Sequence, residues 1–209
     1  MEVVHWCRLR KDSIGEAYSA IIAEDPYARI PALALGKAVN TKRRQQGLPR
    51  LPVIFLSGLE LDSPEDASSQ TDASLETRYG GIIAGLKDSR AIMLSGALHS
   101  GKSTGTLATW LSSHNVAVDI APPRAADSTH EEYVAKGVLP GTSRILTEHG
   151  LSPWDLSKEP VLLQNHPEVT GVIMNKLGVN RVTSEVNPKE IQIARASVQT
   201  LAEGLGSLL

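Results

Sequence analysis

The residues best suited to chemistry lie together near the middle of the chain. Gly96-Ala97-Leu98-His99-Ser100-Gly101-Lys102-Ser103 sets two glycines five positions apart and follows the second with a lysine and a hydroxyl. Glycines there let the backbone curl so that successive amide N–H groups point inward, and a helix starting just after them adds the positive end of its dipole. Such a nest suits phosphate. Lys102 brings a full positive charge to it, and Ser103, with Thr104 beside it, offers a hydroxyl to a hard cation such as Mg²⁺. Lys102 opens a helix, where the dipole disfavours a cation, and a bound anion would explain that placement.

The elements that must hold this loop are legible on both sides of it. Ala91-Ile92-Met93-Leu94-Ser95 is a short apolar run, the pattern of a buried strand. Leu107, Ala108, Trp110 and Leu111 mark a helix, and Val116-Ala117-Val118-Asp119-Ile120 is a further strand stopped by Pro122-Pro123. Strand, loop, helix and strand in about 30 residues make a βαβ unit, for which a right-handed crossover is expected.

Residues 96–103 resemble the Walker A loop of the P-loop nucleoside triphosphatases and kinases, and the resemblance spans about residues 91–120. It implies ATP or GTP with Mg²⁺ as cofactors. Gly96, His99, Ser100, Gly101, Lys102, Ser103 and Thr104 would surround the phosphates, Lys102 would be catalytic and Ser103 would hold the metal. The family also implies an apolar strand ending in an acid that holds Mg²⁺. Val161-Leu162-Leu163-Gln164-Asn165-His166 has the strand without the acid, so Asp119 is the substitute, as metal ligand and catalytic group. A strand-end turn before Pro122 is the other reading of Asp119, and Arg124 either pairs with phosphate or lies on the surface.

Two further likenesses are shorter. Gly171-Val172-Ile173-Met174-Asn175-Lys176 is similar to a strand end of the dethiobiotin-synthetase and MinD-like branch, which implies that Asn175 faces the base; a simple turn before Gly178 is the alternative. Leu56-Ser57-Gly58 and Leu94-Ser95-Gly96 resemble strand ends of the YdcF-like family of α/β proteins. That likeness implies a phosphorylated or nucleotide-like metabolite bound without ATP turnover, with Glu148 and His149 as site residues.

Along the rest of the chain, Ile14, Ala17, Tyr18, Ile21 and Ile22 have helical spacing, which predicts a helix over 13–23 capped by Ser13 and ended by Pro26. A second helix is expected over 32–46, closed by Gly47. Its Lys42-Arg43-Arg44 run reads as a solvated helix end, with phosphate or RNA binding as the alternative. Leu51 to Gly58 reads as a strand, 59–74 as a long acidic loop and 75–86 as a helix. Later strands are expected at 144–147, 161–164 and 171–175, and a C-terminal helix at 188–205 with Ile191, Ala194, Val198 and Leu201 on one face. The expected architecture is α/β: a mostly parallel sheet with helices on both faces, three-layered, P-loop or Rossmann-like. It would occupy residues 51–209, with 1–50 as a helical extension.

Other polar groups carry less. His130-Glu131-Glu132 reads as a solvated acidic first turn rather than a metal trio, because adjacent residues diverge around a helix. Trp154 reads as packing at the sheet edge, and Cys7 as a small buried hydrophobe. His166 and Glu148-His149 fall at strand ends.

Composition narrows the classes. The chain has 209 residues, enough for one domain with an extension. A net charge of -2 argues against a protein built mainly to coat nucleic acid. One cysteine excludes an intramolecular disulfide framework and a thiolate-rich metal site. No apolar stretch approaches the roughly 18 residues of a membrane span, and Met1 to Arg8 lacks the pattern of a secretory leader, so a cytoplasmic location is expected. The leading expectation is a Mg²⁺-dependent kinase or nucleoside triphosphatase with a small-molecule or protein partner. A Rossmann-like metabolite-binding enzyme and a non-catalytic partner-binding protein are the alternatives.

Overall fold

Five short apolar segments pair into one parallel sheet. The computed structural model describes residues 14–24, 28–56, 67–95, 101–121, 129–146, 172–174, 180–182 and 188–208. The strands are β1 (Ala20–Glu24), β2 (Val53–Leu56), β3 (Ser89–Leu94), β4 (Val116–Ala121) and β5 (Arg144–Ile145). Their spatial order is β2-β1-β3-β4-β5, and every neighbouring pair is parallel. Strands covered on both faces must be apolar on both faces. Ala20 to Ala23 and Ala91 to Leu94 meet that condition, with every residue fully buried.

Helices make the crossovers. α1 (Arg29–Gln45) joins β1 to β2. α2 (Ala67–Ile83), with a 3₁₀ turn at Ala84–Leu86, joins β2 to β3. α3 (Lys102–Ser113) joins β3 to β4, and α4 (His130–Ala135) lies between β4 and β5. On one face of the sheet Ile21, Ala23, Ile92 and Leu94 pack against Ala32, Leu35 and Val39 of α1. On the other, Ile22, Met93 and Ile120 pack against Leu75 of α2, Leu107 and Leu111 of α3 and Tyr133 of α4. The result is the expected three-layer α/β fold, and each buried Leu or Ile in it stabilises by about 1.5–3 kcal/mol.

The segment 1–50, expected as a helical extension, enters the sheet itself. A helix over 13–23 was expected; residues 14–17 are helical, but residues 20–24 form β1, an interior strand between β2 and β3. Ile21 and Ile22 fit a helical stripe, but consecutive isoleucines also fit a strand buried on both faces, and pairing to two neighbours favours the strand. The bond network at the end of α1 reinforces this. Asn40 donates through Nδ2 to the Leu51 carbonyl at 2.9 Å, and the Leu51 N–H donates to its Oδ1 at 2.7 Å. In the basic run, Arg43 donates to the carbonyls of Gly15 and Pro49, so it ties the helix end to its surroundings.

Three other expectations shift. The acidic stretch 59–74 is helical from Ala67 onward, because α2 starts early; residues 59–66 lie outside the described residues. Val172–Met174 forms a strand, β6, but it pairs antiparallel with β7 (Asn180–Val182) in a separate two-stranded sheet. The C-terminal helix α5 (Pro188–Ser207) forms and packs along α1, with Ala202 and Gly206 buried and Leu201 of the expected apolar face exposed; the side chains of Ile191, Ala194 and Val198 lie outside those described. A Cβ at Gly206 would stand 2.8 Å from the Ala34 carbonyl oxygen, so only glycine permits this approach. Among the described residues no helix is long and apolar enough to cross a membrane.

Candidate functional site

The strand order defines a switch point in the sheet. From β1 the chain moves outward to β2, then returns past β1 to β3 and continues to β4 and β5. The direction of winding therefore reverses between β1 and β3. Helix α1 leaves β1 over one face, and α3 follows β3 over the other. A crevice opens at such a switch point outside the carboxyl ends of the strands.

The carboxyl ends of β1 and β3 carry Glu24 and Ser95. Ala23 pairs with Leu94, so the two following residues stand level. Glu24 is only 5% exposed, and its carboxylate is held by three hydroxyls. Ser95 donates to Oε2 at 2.6 Å and Thr104 donates to the same oxygen at 2.8 Å. Ser103 donates to Oε1 at 2.5 Å. Ser95 and Thr104 also lie 2.9 Å apart, oxygen to oxygen. Ser95 and Thr104 are fully buried, whereas Ser103 is half-buried. Oε2 thus lies among fully buried hydroxyls and Oε1 beside the half-buried one.

Helix α3 begins where the glycine-loop motif ends. Gly101 precedes it at φ +70°, the left-handed region that favours glycine. Lys102, Ser103 and Thr104 form its first turn, whose amides have no acceptors within a helix. Lys102 is exposed there. Gly105, one turn in, lets α3 approach the loop after α4: a Cβ on it would stand 2.1 Å from the Val138 carbonyl oxygen. Close packing of α3 therefore positions the hydroxyls that reach Glu24.

Asp119 is placed elsewhere. It pairs with Ile92, three residues before Ser95, which sets it about 10 Å back along the sheet. It also shares a face with Ile92 and α1, opposite α3. Its buried carboxylate accepts from Tyr18 Oη at 2.7 Å, from Arg144 Nε at 3.0 Å and Nη2 at 2.6 Å, and from Arg90. Burial pushes this carboxyl up. The bonds from Arg144 and Tyr18 and the charges of Arg90 and Arg144 outweigh burial and hold it below its ordinary range. Burial, then the bond to Asp119, pushes the Tyr18 phenol up to about 12. This is an ion cluster that joins β3, β4 and β5, and it does not meet Ser103.

Of the residues expected at the site, Gly101, Lys102, Ser103 and Thr104 come together at the switch point. Gly96, His99, Ser100 and Asn175 lie outside the described residues, as do Arg124, Glu148, His149, Trp154, His166, Cys7 and the expected strand at 161–164. In the His130-Glu131-Glu132 run, Glu132 completes a capping box with Thr129, as a solvated first turn requires. Among the described residues no group of three or more His, Cys, Asp or Glu side chains could hold a metal. Sequence reasoning missed Glu24 and Ser95. The signal was there: Ala20-Ile21-Ile22-Ala23-Glu24 is an apolar run ending in an acid, the pattern sought near residue 164.

Comparison with protein-family models, with curated proteins and with solved structures finds no match. The architecture is a parallel sheet flanked by helices, of the general kind that binds nucleotides and similar ligands.

Proposed function

We propose that the chain binds a nucleoside triphosphate with Mg²⁺ at the β1–β3 switch point and acts by phosphoryl transfer. One observation carries this reading: the Glu24 carboxylate meets the Ser103 hydroxyl of the glycine-loop motif. A carboxylate oxygen beside a hydroxyl is a donor set for Mg²⁺, which takes one or two protein oxygens and fills the rest with water and phosphate oxygens. In this reading Glu24 takes the role expected of Asp119.

The chain's own groups then divide the work. The amides of the 96–103 loop and of the first turn of α3 hold the phosphates, with His99 and Ser100 of the same loop beside them. Lys102 supplies charge to the outer phosphates, and the anion offsets the dipole's penalty on a lysine at that end. Ser103 and Glu24 Oε1 hold the metal, which when bound neutralises charge on the transferred group. Thr104 and Ser95 turn inward. Asn175 keeps its proposed contact to the base. Catalysis in this class is positioning and charge, so fixed amides and a fixed carboxylate are what it needs.

The same strand order serves a phosphorylated metabolite held without turnover. That ligand would use Lys102 and the α3 terminus and leave Glu24 without a metal. Calorimetric titration with ATP and GTP, with and without Mg²⁺, separates the two for wild type and Lys102→Ala. The proposal expects micromolar binding that strengthens with Mg²⁺ and disappears in the variant. Millimolar nucleotide failing to bind the folded protein would contradict it.

A further inference from the structure

Glu24 is held asymmetrically. Oε2 accepts from two fully buried hydroxyls, Ser95 at 2.6 Å and Thr104 at 2.8 Å. A carboxylate oxygen offers about two lone-pair positions, so both on Oε2 are taken. Oε1 accepts only from Ser103 among these hydroxyls, which leaves it one position for a metal. Ser103 keeps its own lone pairs for the same ion. The carboxylate is therefore equipped to bind a cation through one oxygen and barred from binding through two.

We infer that Ser95 and Thr104 are positioning residues that set metal selectivity, by keeping Glu24 monodentate and so favouring Mg²⁺ over Ca²⁺. The inference rests on the Mg²⁺-nucleotide reading above. Mg²⁺ demands compact octahedral geometry with single oxygens at short range, whereas Ca²⁺ takes six to eight oxygens and often uses a carboxylate through both. Freeing Oε2 would give Ca²⁺ the second oxygen that the native site withholds. Ser95 reaches this position because it stands level with Glu24 across the β1–β3 pair, and Thr104 because it follows Ser103 on the inner side of α3. Neither needs to touch the ion. Partners that orient a metal ligand in this way change metal affinity by about 10–100-fold when removed.

The test is calorimetric binding of ATP and GTP in Mg²⁺ and separately in Ca²⁺, for wild type, Ser95→Ala, Thr104→Val and Thr104→Ser. Urea unfolding of each variant reports its fold. The expected result is a preference for Mg²⁺ that falls about tenfold in Ser95→Ala and in Thr104→Val, chiefly through tighter binding in Ca²⁺. Thr104→Ser, which keeps the hydroxyl, should retain it. A purely structural role would weaken both metals alike, so an unchanged preference in both hydroxyl-deleted variants overturns the inference while leaving the nucleotide reading intact. Equal loss in Thr104→Ser and Thr104→Val also overturns it. Absence of nucleotide binding by wild type would instead overturn the reading on which it rests. Should either deletion fail to fold, the other decides.

Discussion

The Thr104 hydroxyl donates to Glu24 Oε2 at 2.8 Å across 80 residues of chain. That bond ties the first strand of the sheet to the helix that follows the glycine-loop motif. It places a carboxylate from the N-terminal segment beside hydroxyls from the end of β3 and the start of α3.

Removing that carboxylate should cost stability as well as binding. Among the described residues, Glu24→Ala leaves the buried hydroxyls of Ser95 and Thr104 with each other, at 2.9 Å. A lost partner for buried polar groups costs about 1–3 kcal/mol. Urea unfolding should show Glu24→Ala destabilised in that range and Glu24→Gln less so, because an amide oxygen still accepts. A fully stable Glu24→Ala would mean that the bonds at Oε2 contribute nothing.

Gly105 should tolerate no side chain. Its missing Cβ would stand 2.1 Å from the Val138 carbonyl oxygen, which is backbone and cannot swing aside. Gly105→Ala must push α3 away from the loop after α4, at a cost of about 1–3 kcal/mol. The urea midpoint should fall accordingly, and nucleotide affinity with it, because Ser103 and Thr104 move with the helix. Gly81, with open space around it, is the control: Gly81→Ala should be neutral or slightly stabilising.

The Asp119 cluster should shape stability at both ends of the pH scale. Its carboxyl is held below the unfolded value of about 3.9, so its contribution is present above about pH 4 and lost as pH falls through the folded value. The Tyr18 phenol is raised to about 12, so its contribution is present below about pH 10 and lost as pH rises toward 12. Urea midpoints across pH should show both limbs in wild type, and Tyr18→Phe should remove the alkaline one. Asp119→Asn should cost about 2 kcal/mol at neutral pH, less than a wholly buried pair loses, because Arg90 and Arg144 reach water. Nucleotide affinity should be unchanged in Asp119→Asn. A loss there equal to that in Glu24→Gln would restore Asp119 to the metal site.

The parts of this fold that could be read from the sequence are those where one period dominates. The runs Ala91–Ser95 and Leu107 to Leu111 gave strand and helix, and β3 and α3 form there. β1 was misread because Ile14, Ala17, Tyr18, Ile21 and Ile22 satisfy a helical period, while a strand buried on both faces has no period to detect. That misreading hid Glu24. Asp119 was legible as the acid of a strand next to the loop, but pairing register and face decide where such an acid stands. Both come from the assembled sheet: Asp119 opposite Ile92, Glu24 level with Ser95. Glu24 and its three hydroxyl donors bring together β1, the end of β3 and the start of α3, and no local spacing announces it.

The most direct test of the account is the effect of Mg²⁺ on nucleotide affinity in Glu24→Gln, measured by calorimetry beside wild type. Wild type should bind ATP or GTP more tightly with Mg²⁺ than without. Glu24→Gln should keep the metal-free affinity, held by the loop amides and Lys102, and lose most of the gain from Mg²⁺. A variant that is folded and gains as much from Mg²⁺ as wild type would contradict the central claim, because the carboxylate beside Ser103 would then have no part in holding the metal.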